Sequence, residues 1–105
     1  MPKTRVFNMT KLTSKQKDEF FFILKREEAK LERIFDKIKL KKQEFSETFK
    51  FMKSYYEDMK FFFKKQEYVK AFELQNYVWG FLDALAINKA IDVPKELQKY
   101  FKAEF

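Results

Sequence analysis

Five polar side chains sit close enough in the sequence to do chemistry together: Tyr55, Asp58, Asn76, Tyr77 and Asp83. Tyr55 and Asp58 are three residues apart, so on a helix they share a face. Asn76, Gly80 and Asp83 share a face of a second helix by the same spacing. If the two helices lie antiparallel with those faces together, two carboxylates, two phenols and an amide converge. Carboxylate oxygens suit Mg²⁺ or Ca²⁺. The structural reading of the same residues is that the two Asp side chains accept hydrogen bonds from tyrosine hydroxyls and fix the helix register. Two lone Asp residues without a Glu-x-x-His pair or a phosphate-binding loop are a weak metal signal. The expectation is therefore no metal centre and no cofactor.

Other chemistry is excluded more firmly. The chain has no His and no Cys. That removes the commonest general base, thiol nucleophiles, disulfides and the usual zinc ligands. Catalytic triads built on His are impossible. No catalytic residue is expected, and the protein reads as non-enzymatic. The segment Met1-Pro2-Lys3-Thr4-Arg5 opens into polar sequence without an apolar signal core. The longest apolar runs, such as 20–24, fall far short of the ~20 residues a membrane span needs. A soluble, cytoplasmic protein is expected.

The net charge of +7 is unevenly spread. Residues 1–44 hold 13 basic and 7 acidic side chains, and residues 45–105 hold 10 and 9. Lys3, Arg5 and Lys11 belong to an acid-free segment, and Lys37, Lys39, Lys41 and Lys42 form a second cluster. Both groups can hold phosphates of RNA or DNA. They can equally be a solvated arm and a Lys-rich helix end, where cations suit the helix dipole.

The elements that carry these residues are helices. Phe20, Leu24, Glu27, Leu31, Ile34 and Ile38 recur at spacings of four and three. Phe45, Phe49, Met52, Tyr56, Met59 and Phe63 repeat that spacing with no polar member. Both are seams of amphipathic helices. Neither Gly nor Pro separates the two seams. An unbroken helix over 15–64 would be about 75 Å long at the usual rise per residue, so a break is placed at 39–44, where Lys occupies seam positions. Thr13 or Ser14 can cap the first helix and Ser46 the second. The pattern is interrupted again at 64–67 and restarts at Tyr68. Asp92-Val93-Pro94 then turns the chain into a short last helix.

The single glycine, Gly80, stands inside the most apolar helix. Glycine costs a helix interior about 1 kcal/mol relative to alanine. Its use there predicts a close approach of another helix or a ligand, with Ala84 one turn away. One half of this third helix is apolar and the other mixed, which predicts packing partners on two sides. Phe20-Phe21-Phe22 and Phe61-Phe62-Phe63 each span about 200° of a helix. Not all can face one core, so Phe21 or Phe61 should lie at the surface or in an interface.

Tyr55-Tyr56, Asp58, Phe62, the turn Lys65-Gln66-Glu67, Tyr68-Val69, Ala71-Phe72, Tyr77, Gly80 and Leu82-Asp83-Ala84 together resemble an archaeal family of small helical domains, domain of unknown function 357. In that family a Gly precedes the acid of the turn, where this chain has Gln66. The resemblance implies an all-α, hairpin-like bundle and an archaeal cytoplasmic setting, and implies no reaction.

These readings converge on an all-α antiparallel bundle of three long helices, over about 15–39, 45–64 and 68–89, with a short C-terminal helix over about 94–103. Residues 1–13 are expected to form a basic flexible arm, and 14–105 a single helical domain. The leading functional expectation is a helical protein-interaction module that pairs with itself or another protein through helix faces, without a membrane. The second is a nucleic-acid-associated protein using the basic arm and the Lys37–Lys42 cluster.

Overall fold

A computed structural model describes residues 12–105. Lys3, Arg5 and Lys11 lie outside the described residues. Three long helices dominate: α1 (Ser14–Lys37), α2 (Ser46–Lys64) and α3 (Tyr68–Ile87). The all-α bundle read from the periodicity is the fold.

Helix α1 begins in a capping box. Thr13 Oγ1 accepts from the Gln16 amide at 3.1 Å, and Gln16 Oε1 accepts from the Thr13 amide at 2.9 Å. Two amides that the helix cannot satisfy internally are thereby satisfied. At its other end the backbone turns extended at Ile38. The break expected at 39–44 is present, and the molecule, 42 Å in its longest extent, has no room for a continuous helix through it. What fastens the break was invisible in the sequence. Lys39–Leu40 forms a two-residue strand, β1, antiparallel to β2 at Ile91–Asp92. The Lys41 amide adds a hydrogen bond to the Ala90 carbonyl at 2.7 Å.

A 3₁₀ turn at Gln43–Phe45 leads into α2. Ser46 is the first residue of that helix and not its cap; Phe45 holds the cap position without a side-chain bond. Helices α2 and α3 end alike. Glu67 N–H donates to the Phe62 carbonyl and Gln66 N–H to that of Phe63, both at 2.9 Å. Ala90 N–H donates to the Leu85 carbonyl at 2.8 Å and Lys89 N–H to that of Ala86 at 3.0 Å. Both are Schellman closures, which need a left-handed residue. Gln66 and Lys89 supply it, with φ of 63° and 56°. The C-terminal element is shorter and tighter than expected, a 3₁₀ helix over Lys95–Tyr100 that follows Pro94.

The core gathers Leu24, Leu31, Ile34 and Ile38 from the first seam and Met52, Tyr56 and Met59 from the second. Ala71, Leu74, Val78, Leu82, Leu85 and Ala86 close it from α3. Glu27, the polar member of the first seam, stays at the margin, paired with Lys30 at 2.7 Å and Arg26 at 3.1 Å. Ala90, Ile91, Val93, Leu97 and Phe101 bury the C-terminal segment against the bundle. Among the described residues, no helix is long and apolar enough to cross a membrane.

Candidate functional site: an uncovered face of α3

The five polar residues do not converge. Tyr55 stacks on Tyr77 and on Phe81, with ring centroids 5.6 and 5.5 Å apart. These contacts lock α2 to α3 through ring faces, not through hydroxyls. Asn76 donates to the Phe72 carbonyl of its own helix at 3.1 Å. Asp83 accepts the Lys102 amide at 2.9 Å and so ties down the C-terminal segment. Asp58 is half-buried. Neither carboxylate receives a tyrosine hydroxyl among the described residues, where no group of three acidic, His or Cys side chains could hold a metal. The tyrosine-to-carboxylate hydrogen bonds expected to fix the helix register are therefore not formed among the described residues. A register set by aromatic stacking takes up the faces on which the polar groups were expected to meet.

Gly80 requires a second correction. It is exposed, and a Cβ built on it meets nothing within 4 Å. Among the described residues, no other helix comes within 4 Å of that position. The buried residues of α3 all fall on the opposite side, and the exposed strip runs along Asn76, Tyr77, Gly80, Ala84 and Ile87, flanked by the Tyr55 ring on one side and the Asp83–Lys102 bond on the other. The C-terminal segment packs beside the strip, with Phe101 against Trp79 and the Lys102 amide on Asp83, but among the described residues nothing covers Gly80 itself.

That strip is the most unusual surface of the molecule. Tyr77 is 51% exposed and Ile87 61%, and Gly80 and Ala84 lie exposed between them. From Gln75 to Asn88 the only charged side chain is Asp83. A helix apolar on all sides is ordinarily buried on all sides. Phe51 of α2, one turn from Tyr55, is 61% exposed. The apolar periodicity does not single out Phe51. Its signal is that it falls outside the α2 seam without being polar.

The Phe triplets surround a second feature. Phe21 and Phe61 are exposed at 46% and 51%, and Phe22 more than either. Phe21 packs against Phe63 and Tyr68, with centroids 5.6 and 6.3 Å away. These three rings, with Lys25, Glu28, Lys60, Lys64 and Gln66, line an open cleft of about 420 Å³. Lys60 is engaged there with Glu57 at 3.1 Å and with the Tyr56 ring at 4.6 Å. The Tyr56 phenol is pushed up to about 12, chiefly by burial and then by the charges of Glu32, Glu28 and Glu57.

In the Lys37–Lys42 cluster two of four side chains have structural duties. Lys37 Nζ lies 3.4 Å from Glu96 Oε1. Lys42 Nζ donates to the Asn88 carbonyl at 2.7 Å, at the C-terminal end of α3. Lys39 and Lys41 are exposed.

A family model described as protein of unknown function (DUF357) matches residues 20–91. The chain belongs to the DUF357 family. The match takes in most of α1, all of α2 and α3, and both sides of the β1–β2 contact. The DUF357 region thus contains the exposed strip of α3 and the Phe-lined cleft. No curated protein and no solved structure matches the chain.

Proposed function

We propose that this DUF357 protein is a non-enzymatic interaction module that receives another helix on the exposed strip of α3. The observation that carries the reading is the uncharged row Tyr77, Gly80, Ala84 and Ile87, exposed in a chain where 37% of residues are charged. Exposed apolar area of that kind marks protein contact sites. Its layout fits a helix-in-groove mode, with anchors at helical spacing. The absence of His and Cys from the sequence leaves little for covalent or general-base catalysis.

The test compares the native protein with the double variant Ala84→Lys/Ile87→Lys, at two exposed positions of the strip, each measured for native mass in extract and after purification. The native protein should run larger than its 13.0 kDa chain in at least one of the two. The variant should run as a monomer with an unchanged melting temperature. A native protein of 13.0 kDa in both settings overturns the reading.

The cleft favours a second reading, contact with single-stranded nucleic acid. Phe21, Phe63 and Tyr68 offer ring faces beside Lys25 and Lys64, the combination on which bases stack while phosphates are neutralised. Binding of a labelled oligonucleotide at low salt, weakened by Lys25→Gln/Lys64→Gln and by added salt, would support it. No binding at low salt would exclude it.

A further inference from the structure

Residues 101–105 follow the last 3₁₀ helix without regular structure, and three contacts hold them to the flank of α3. The Phe101 ring meets the Trp79 indole edge-on, with centroids 6.5 Å apart. The Lys102 N–H donates to Asp83 Oδ1 at 2.9 Å. Lys89 Nζ, just past the helix end, donates to the Glu104 carbonyl at 2.7 Å. Two of these three contacts reach the main chain of the segment, whose N–H and C=O groups nearly every residue type offers. Only the ring at 101 depends on a side chain. The backbone there is extended, with φ −99° and ψ 153°, and Lys102, Glu104 and Phe105 beyond it are exposed. The fit is also incomplete. Trp79 Nε1–H is buried and has no hydrogen-bond acceptor among the described residues. A buried donor left unpaired is costly, and an acceptor placed against it recovers that cost.

We propose that the flank of α3 at Trp79, Asp83 and Lys89 is a docking site for an extended peptide segment, occupied in this structure by the chain's own residues 101–105. Trp79 takes an aromatic ring, Asp83 takes the next amide along the segment, and Lys89 gives to a carbonyl two residues further on. The partner that fits is a stretch of another protein carrying an aromatic residue in extended chain. Main-chain bonds supply affinity and the ring supplies specificity, as in other sites that bind extended peptides. Such a segment meets the main-chain contacts as well as the resident one does. If it also brings an oxygen to the Trp79 indole N–H, it gains a bond that the resident segment leaves unmade, and displaces it. This site lies beside the exposed strip of α3 and does not depend on what covers that strip.

Trp79 is the only tryptophan of the chain, so its fluorescence reports on this site alone. Two variants of the full chain disturb the resident segment and leave the docking residues untouched. Lys102→Pro removes the amide that Asp83 accepts. It does so at an exposed position whose preceding residue is already extended, as proline requires. Phe101→Ala removes the ring. Both should make Trp79 severalfold more open to acrylamide quenching, with an unchanged helical circular dichroism spectrum. An acetylated synthetic peptide spanning residues 99–105 should bind either variant about tenfold more tightly than it binds the native chain, because the resident segment no longer competes. Adding Asp83→Ala to Lys102→Pro should abolish that binding, an effect that a merely structural tail would not produce. If Phe101→Ala loses its fold, Lys102→Pro decides the matter. Unchanged quenching in Lys102→Pro, or peptide binding that does not differ between that variant and the native chain, overturns the proposal.

Discussion

Gln66 occupies the left-handed position that closes α2, with φ of 63°. A side chain there pays a steric cost that glycine does not. Glycine is the residue that a Schellman closure ordinarily takes at this place. Gln66→Gly should stabilise the protein by about 0.5–1 kcal/mol, seen as a higher urea midpoint with an unchanged slope. Lys89 holds the equivalent position after α3, but its Nζ donates to the Glu104 carbonyl at 2.7 Å, so glycine there loses a bond as well. Tyr56 gives a pH signature. Its phenol titrates near 10.0 when unfolded and is pushed up to about 12 when folded. The folded state therefore binds this proton more tightly, and its contribution is fully present below pH 10. Stability should fall as pH rises from about 10 to about 12, and Tyr56→Phe should flatten that fall. Denaturant midpoints across the range, with phenolate absorbance, check both statements.

At the scale of elements, what could be read in advance was whatever obeys a local period. Phe20 to Ile38 and Phe45 to Phe63 reveal their helices because one face of each is apolar. Val93 and Pro94 reveal a turn because proline fixes its own backbone. The β1–β2 pair could not be read. Two residues per strand show no alternation, and their partners lie far apart in sequence. The scattered polar site was misplaced for a related reason. Spacing says which residues share a face of one helix, but rotation of α2 against α3 is set by how Tyr55 stacks on Tyr77 and Phe81. Gly80 was legible as an anomaly and not as a location, since a bare face and a crowded one demand the same missing side chain. Lys42 shows an element joined by a side chain, its Nζ on the Asn88 carbonyl where α3 ends. That contact satisfies a terminal carbonyl and favours the negative end of the helix dipole. Lys42→Met should cost about 0.5–1 kcal/mol, measured as a lower melting temperature. The loss should shrink little in salt if the hydrogen bond outweighs the dipole.

At the scale of the whole molecule, the small clip of β1 on β2 sets an order of events. Residues 38–92 leave the bundle at Ile38, run up α2, return down α3 and come back to the same point. The α2–α3 hairpin makes its contacts across a short turn, so it can assemble early. The clip must close the whole loop from Leu40 to Ile91 before it gains anything. It should accordingly form late and open early. Ile91, buried beneath it at 4% exposure, should behave as a latch on lifetime and not as a seed for assembly. Ile91→Ala should cost about 2–4 kcal/mol. Nearly all of that should appear as faster unfolding in stopped-flow traces, with the refolding rate almost untouched. On that expectation the persistence of the native state is governed by two pairs of residues at the narrow end of the loop, and the long helices that give the molecule its form set its shape but not its lifetime.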